Sequence, residues 1–389
     1  MSLLTTSVGQ AFAVALQQIK RQEAFACTKI AVAVSGGSDS TALLLLAYAW
    51  CQVIGQPLVA FTVDHHLRPE STREALRVQR YAQSLGIPHE ILYWKPAATL
   101  SRGHIEKTAR RARYDALTEA CWRHQTRVLL VGHTRDDQIE TMLLRAVQGS
   151  GDFGLAGMSL CRLIHAQLVV ARPLLCVSRF DLQHLLLRYG VSWTNDSSNN
   201  DPFFRRVLWR KGLQHTDQDT FRELVLVNRF YVAKRRLHTL AAIRFLKHHA
   251  FFLKNRLFLR VEPFRQISLS LQRYVLRRVI SGVGGKAYPP NALELTRACQ
   301  KLVSLENIRF TLGRALIKKS KNLLHFSRER RNMPPAMQLP SQRLICWDGR
   351  FWFCNTTEEL YWIFAPKDGT DPCFYKETLV FPDLPAGVI

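Results

Sequence analysis

No CxxC pair occurs among the nine cysteines, at positions 27, 51, 121, 161, 176, 299, 346, 354 and 373. Odd in number and scattered, they exclude a disulfide framework and a zinc ribbon. Cys51 and Cys121 sit in apolar periodic stretches and read as small core residues. Long apolar runs are also missing: the longest, Ala42 to Cys51, falls short of the ~20 residues needed to cross a bilayer, so no membrane span is expected. No basic region precedes an apolar one at the start of the chain, so no secretory signal is expected and the reducing cytoplasm fits. Acidic residues are scarce, 30 Asp and Glu against 54 Lys and Arg, for a net charge of +24. Such an excess points to a polyanionic partner, nucleic acid before anionic membrane, because each Lys or Arg contact to phosphate releases counterions. What remains is globular: 389 residues, 47% hydrophobic and 22% charged, without repeats or low-complexity tracts. That length suggests roughly two or three domains and excludes wholesale disorder, collagen and coiled-coil rods.

The first half alternates two periodicities. Buried-strand patterns at 29–34, 58–63, 89–94, 127–131 and 167–171 are interleaved with helical patterns at 41–52, 70–85, 105–124 and 136–147, after a first helix at 11–20. Strand, helix, strand, helix predicts an α/β fold, a parallel sheet with helices on both faces, whose ligands gather beyond the carboxyl ends of the strands.

Three segments at those ends carry chemistry. Ser35-Gly36-Gly37-Ser38-Asp39-Ser40 joins the first strand to the next helix and offers backbone N–H groups, hydroxyls and a helix dipole to an anion. It is not a Walker loop, because no GxxxxGK followed by Ser or Thr occurs. An ordinary turn with Ser38 or Asp39 as helix cap would look the same in isolation. The second segment, Gly132 to Thr141, puts Glu140 on one helical face with Asp136 and Asp137; such carboxylates suit an amine or Mg²⁺ with a nucleotide, or merely complement the helix dipole. In the third, Arg110 and Arg113 lie three apart, with Glu106 four before Arg110, fit for phosphate or developing negative charge, or for a solvated basic face.

Together SGGSDS, VDHHLRPES at 63–71, IEKTARRARY at 105–114, GHTRDDQIET at 132–141 and GSGDFGLAGM at 149–158 resemble the tRNA(Ile)-lysidine synthetase family. The resemblance runs on through Arg172-Pro173-Leu174-Leu175 and through Trp193, Asp196, Ser198, Asn199 and Asp201. It is fainter in Tyr288-Pro289-Pro290, Thr311-Leu312-Gly313 and Trp347-Asp348-Gly349-Arg350-Phe351. SGGxDS by itself is common to the pyrophosphatase-loop ATP-using enzymes. The chain departs from the pattern at His66, where Gly commonly follows VDH; at Arg206 and Trp209, where Asn and Arg are usual and Arg210 is at hand as a substitute; and at Arg314, where a second Gly is usual.

The resemblance implies an adenine nucleotide alpha hydrolase-like fold and a two-step ligation. ATP adenylates the carbonyl oxygen at carbon two of the wobble cytidine of tRNA(Ile) with a CAU anticodon; the ε-amine of L-lysine then displaces AMP, giving lysidine and switching codon specificity from AUG to AUA. It gives Ser35 to Ser40 the pyrophosphate, Asp39 the Mg²⁺, Val63 and Asp64 the adenine and ribose, His133 a phosphate, Asp137 and Glu140 the amine, and Arg110 and Arg113 the adenylated base or its departing phosphate. Residues 1–212 are expected to form the nucleotide-binding catalytic domain. A basic, mainly helical tRNA-binding domain is expected over 213–330, with Lys234, Arg235, Arg236, Arg244 and Lys247, then Arg273, Arg277 and Arg278; strand-like stretches at 256–261 and 316–326 follow the helices. A Pro-containing linker near 333–340 leads into a smaller β-rich domain over 331–389. A homo-oligomer is left open. The rival readings are a tRNA thiolase, disfavoured without paired cysteines, and a non-catalytic tRNA-binding protein, disfavoured by the intact loop and acidic cluster.

Overall fold

The computed structural model describes residues 3–21, 29–64, 69–93, 102–164, 168–194, 212–213, 216–253, 256–286, 289–341, 344–365 and 373–376. His66, Asp196, Ser198, Asn199, Asp201, the stretch 205–210 and Tyr288 lie outside the described residues. The chain divides into two compact units, Met1–Val147 with Ala156–Asn228, and Gln148–Leu155 with Arg229–Ile389.

In the first unit the alternation yields α1 (Ser7–Ile19), β1 (Ile30–Ala33), α2 (Ser38–Ile54), β2 (Leu58–Asp64), α3 (Pro69–Ser84), β3 (His89–Tyr93), α4 (Arg102–Arg123), β4 (Val128–Val131) and α5 (Arg135–Val147). The short α6 (Asp152–Leu155) belongs to the second unit, after which β5 (Cys161–Ile164), β6 (Leu168–Ala171) and α7 (Arg179–Arg188) return to the first. The sheet order is β3-β2-β1-β4-β6-β5, parallel except for β5, which pairs antiparallel with β6 at the edge. Strand order therefore reverses between β1 and β4, the switch point at which two connections diverge and leave a crevice.

Successive strand residues point to opposite faces, and both faces are buried. Ile30, Val32, Ala60, Val128 and Leu130 pack with α1, α2, α3 and α7 on one side. Ala31, Val59, Phe61, Leu129 and Val131 pack with Leu117, Ala120 and Cys121 of α4 on the other. Each fully buried Leu, Ile or Phe contributes on the order of 1.5–3 kcal/mol.

The second unit continues α8 (Gln218–His249), which begins in the first, through β7 (Ala250–Leu253), β8 (Arg256–Arg260), α9 (Val261–Gln266), α10 (Leu269–Gly284) and α11 (Ala292–Ser304). Beside these helices stands a five-stranded antiparallel sheet, order β7-β8-β11-β10-β9, with β9 (Ile308–Leu312), β10 (Ala315–Ser320) and β11 (Leu323–Arg328). The strand-like stretch 316–326 is thus a hairpin rather than one strand, because Lys321 adopts a left-handed turn conformation (φ 49°) between β10 and β11. Beyond it lie β12 (Met337–Leu339), β13 (Leu344–Trp347), β14 (Phe351–Cys354), β15 (Tyr361–Phe364) and β16 (Cys373–Lys376). The segment 333–340, read as a linker, holds β12, which pairs with β15.

No division between compact units falls near residue 330. A buried ion cluster spans that position: Arg328 forks onto Asp348 with Nε at 2.9 Å and Nη2 at 2.6 Å, and Arg350 Nε reaches the same carboxylate at 2.6 Å. Dissolving it would strand a buried charge, so it ties the end of β11 to the turn after β13.

Candidate active site

The first strand ends in the Ser35–Ser40 loop, whose shape is fixed by glycine and by its own hydroxyls. Gly36 has φ +88°, a conformation L side chains rarely adopt, and its carbonyl accepts from Thr194 N–H at 2.9 Å. Ser40 Oγ accepts from Ser35 N–H at 3.1 Å and donates to Gly37 O at 3.1 Å. Helix α2 starts from Gly37 without any side-chain cap. Neither Ser38 nor Asp39 caps the helix, so the first-turn N–H groups are left for an anion. Gly132, at the end of β4, lets that strand pass against the loop: a Cβ there would stand 3.0 Å from Ser40 N.

At the start of α5, Thr134 and Asp137 cap the helix reciprocally. Thr134 N–H and Oγ1 donate to Asp137 Oδ2 at 2.9 and 3.1 Å, and Asp137 N–H reaches Thr134 Oγ1 at 3.4 Å. The other Asp137 oxygen faces Arg179 Nη2 at 3.2 Å. Arg179 Nε donates to Asp39 Oδ2 at 3.0 Å, and its backbone N–H to Asp136 Oδ2 at 2.9 Å. One guanidinium thus spans two carboxylates from two other helices. Burial raises the Asp39 carboxyl above the usual carboxylate range, Arg179 pulls it back and Asp137 pushes it up again. Burial works against the Arg179 cation, but Asp39 and Asp137 outweigh it and hold the guanidinium more firmly charged than usual.

Sequence reasoning missed Arg179. Its one signal is local, Ser178 three residues before Asp181, the pattern of a helix start; Ser178 Oγ accepts from Asp181 N–H at 3.0 Å.

These elements surround a cavity of about 560 Å³ beyond the ends of β1, β2 and β4. One wall is apolar, with Ala33, Phe61, Val63, Leu117 and Val131 at the end of the α4-side core. The opposite wall carries Ser35, Gly37, Ser38, Asp39 and Ser40, with His133, Asp137, Arg179 and Thr194. Arg110, Arg113 and Tyr114 of α4 close it, the Arg110 guanidinium standing 5.5 Å from the Tyr114 ring centre. Both arginines are solvent-exposed, yet both line the cavity.

Three expected residues do not line it. Gly36 shapes the loop from behind. Asp64, 1% exposed, accepts the Ser71 and Thr72 hydroxyls at 2.7 Å each and so orders the start of α3. Glu140 is 3% exposed; sharing a helical face with Asp136 and Asp137 did not bring it to the cavity, because that stretch of α5 is packed inward with Ile139 and Met142.

The basic residues of the second unit divide by exposure. Lys234 pairs with Asp152 at 2.7 Å, while Arg277 and Arg235 lie 3.6 and 5.6 Å from the Phe153 ring centre. Arg236, Arg244, Lys247 and Arg278 face solvent.

The family described as "PP-loop domain" matches residues 9–216. The tRNA(Ile)-lysidine synthase of Hyphomonas neptunium is 36% identical over 315 residues, covering 79% of this chain and 84% of its own. That of Wolbachia pipientis wMel is 32% identical over 348 residues, 86% of this chain and 79% of its own; that of Rhizobium meliloti is 35% identical over 372 residues, 92% and 80%. Among solved structures, the U34-tRNA thiolase NcsA from Methanococcus maripaludis with its 4Fe-4S cluster overlaps 57% of this chain and 80% of that chain, at a TM-score of 0.42 and 15% identity.

Proposed function

The chain belongs to the tRNA(Ile)-lysidine synthase family, and on that premise we propose which of its residues carry each part of the reaction. It is an ATP-using, tRNA-modifying ligase with a PP-loop domain, and it forms lysidine on tRNA(Ile).

In our reading the base oxygen at carbon two of the wobble cytidine of the CAU anticodon attacks the α-phosphorus of ATP, and pyrophosphate leaves. The ε-amine of lysine then attacks carbon two; the C–O bond breaks, AMP departs with the oxygen, and the amine loses a proton. The uncapped start of α2 receives the phosphates, where backbone N–H groups offset charge without reorganising. Phe61 and Val63 supply an apolar wall for adenine. Arg110 and Arg113 stand ready for the charge gathered on the departing adenylate. Asp137 faces the cavity and is the carboxylate we assign to the lysine ammonium; buried Glu140 we assign to support of α5.

The residues fit Mg²⁺ brought in with a nucleotide. Among the described residues no group of three or more His, Cys, Asp or Glu could form a metal cage, whereas one or two carboxylates beside a phosphate cradle is how this ion is usually held. Asp39 would hold it, with Asp137 beside it, and the ion would offset charge on the phosphates as pyrophosphate leaves. Exposed Arg236, Arg244, Lys247 and Arg278 we assign to tRNA phosphates. We keep 1–212, 213–330 and 331–389 as the catalytic, RNA-binding and C-terminal parts, and place the reaction in the cytoplasm with its tRNA substrate.

The observation that carries this reading is the cavity itself, in which the uncapped helix start, Asp39, Asp137 and both α4 arginines converge. Incubation with ATP, Mg²⁺, labelled lysine and unmodified tRNA(Ile) tests it. Label is expected in the tRNA; ATP turnover indifferent to lysine, with no label in RNA, would contradict it.

A further inference from the structure

The Asp39–Arg179–Asp137 cluster contains two negative groups and one positive, at 3.0 and 3.2 Å, on the wall of the cavity. The three side chains retain 18%, 24% and 19% exposure respectively, so an incoming ion can reach them. We propose that Arg179 is an exchangeable counter-charge: it pairs Asp39 with Asp137 while no Mg²⁺–nucleotide is bound, and it gives up Asp39 to the metal ion on binding, turning its guanidinium to the phosphates. This rests on the functional reading above and adds a residue the sequence did not single out.

The geometry supports an exchange for three reasons. Asp39 Oδ2, which holds Arg179, is the oxygen not engaged by Ser38, whose hydroxyl donates to Oδ1 at 3.0 Å; a divalent cation and a guanidinium at that one oxygen would repel. The Arg179 backbone is anchored, its N–H on Asp136 Oδ2 at 2.9 Å and its helix capped by Ser178, so the movement required is confined to a long side chain. Without any cation here, Asp39 and Asp137 would face the triphosphate together, and like charges would exclude it. Arg179 is therefore a positioning residue for the carboxylates in the free enzyme and a phosphate contact in the loaded one.

Two titrations of the full chain decide the matter: Mn²⁺ alone, read by loss of the free-ion electron paramagnetic resonance signal, and ATP in excess EDTA, read by calorimetry. In Arg179→Ala, Mn²⁺ alone should bind at least tenfold more tightly than in the wild type, and metal-free ATP at least tenfold more weakly. Arg179→Lys, which keeps a charge, should fall between. A purely structural role would weaken both ligands together. If Arg179→Ala does not fold, Arg179→Gln carries the same expectation, since it keeps donors and loses the charge. Mn²⁺ affinity that is unchanged or lower in the folded variant overturns the exchange. Wild-type enzyme that transfers no lysine would instead overturn the functional reading and leave these titrations intact.

Discussion

Arg179 Nε lies 3.0 Å from Asp39 Oδ2 although 140 positions separate them in the chain. The contact exists because α2 follows β1 and α7 follows β6, and the sheet order brings both helix starts to the same end of the sheet. Charge at this site is thus assembled by topology: one carboxylate from the Ser35–Ser40 loop, a second from α5, and a guanidinium from a helix with no chemical motif of its own.

Asp137 has two tasks that substitution can separate. Asp137→Asn keeps an oxygen to accept from Thr134 N–H, so thermal stability should change by under about 1 kcal/mol while lysine transfer falls at least a hundredfold. Asp137→Ala should lose the cap too, at a cost of about 1 kcal/mol. Near-normal transfer by Asp137→Asn, measured with labelled lysine, would remove this carboxylate from the chemistry.

Burial lowers His89 to about 4, with Glu90 opposing, and its Nε2 lies 2.8 Å from Thr62 Oγ1. The folded form binds this proton less readily than the unfolded chain, whose histidine titrates near 6.5, so stability is retained above about 6.5 and declines as pH falls toward 4. Discounted for partial exposure, the loss should be about 1–2 kcal/mol. Denaturant melts of wild type and His89→Gln across that window should show a flatter dependence for the variant; equal slopes would count against it.

Arg314 adopts φ 66° next to Gly313 at φ 58°, the two-residue turn between β9 and β10. Two positive φ values match a right-twisted hairpin, and a side chain at the second costs roughly 1 kcal/mol relative to glycine. Arg314→Gly should therefore stabilise the protein by about that amount in chemical denaturation. A loss would mean that the arginine side chain makes up for its strained backbone.

Exposed Arg236 and Arg244 on α8 should act as phosphate contacts. Replacing either by Ala should lower the slope of log affinity for tRNA against log salt by about 1, without changing lysine transfer at saturating tRNA. An unchanged slope would assign the residue to the solvated surface.

The parallel sheet and its helices were legible because strands buried on both faces read as continuous apolar runs. The place of the Ser35–Ser40 loop, between β1 and α2 and on the wall of the cavity, was legible because it directly follows such a run at the start of a helical pattern. Arg179 was not, since nothing local says that the start of α7 will meet Asp39. Glu140 illustrates a different limit: its helical spacing from Asp136 was right, but spacing cannot tell which side of a helix the core covers. Strand β5 escaped because Cys161–Ile164 is a short edge strand with two exposed residues, Arg162 and Leu163.

The central claim, that this cavity adenylates an RNA base before an amine arrives, is tested most directly by a single-turnover experiment in two stages. Protein, α-phosphate-labelled ATP, Mg²⁺ and tRNA(Ile) transcript are combined first without lysine and then with it. Label should attach to the RNA in the first stage and be released as AMP in the second, with lysine taking its place. Label that never joins the RNA, or that appears on lysine instead, would contradict the account.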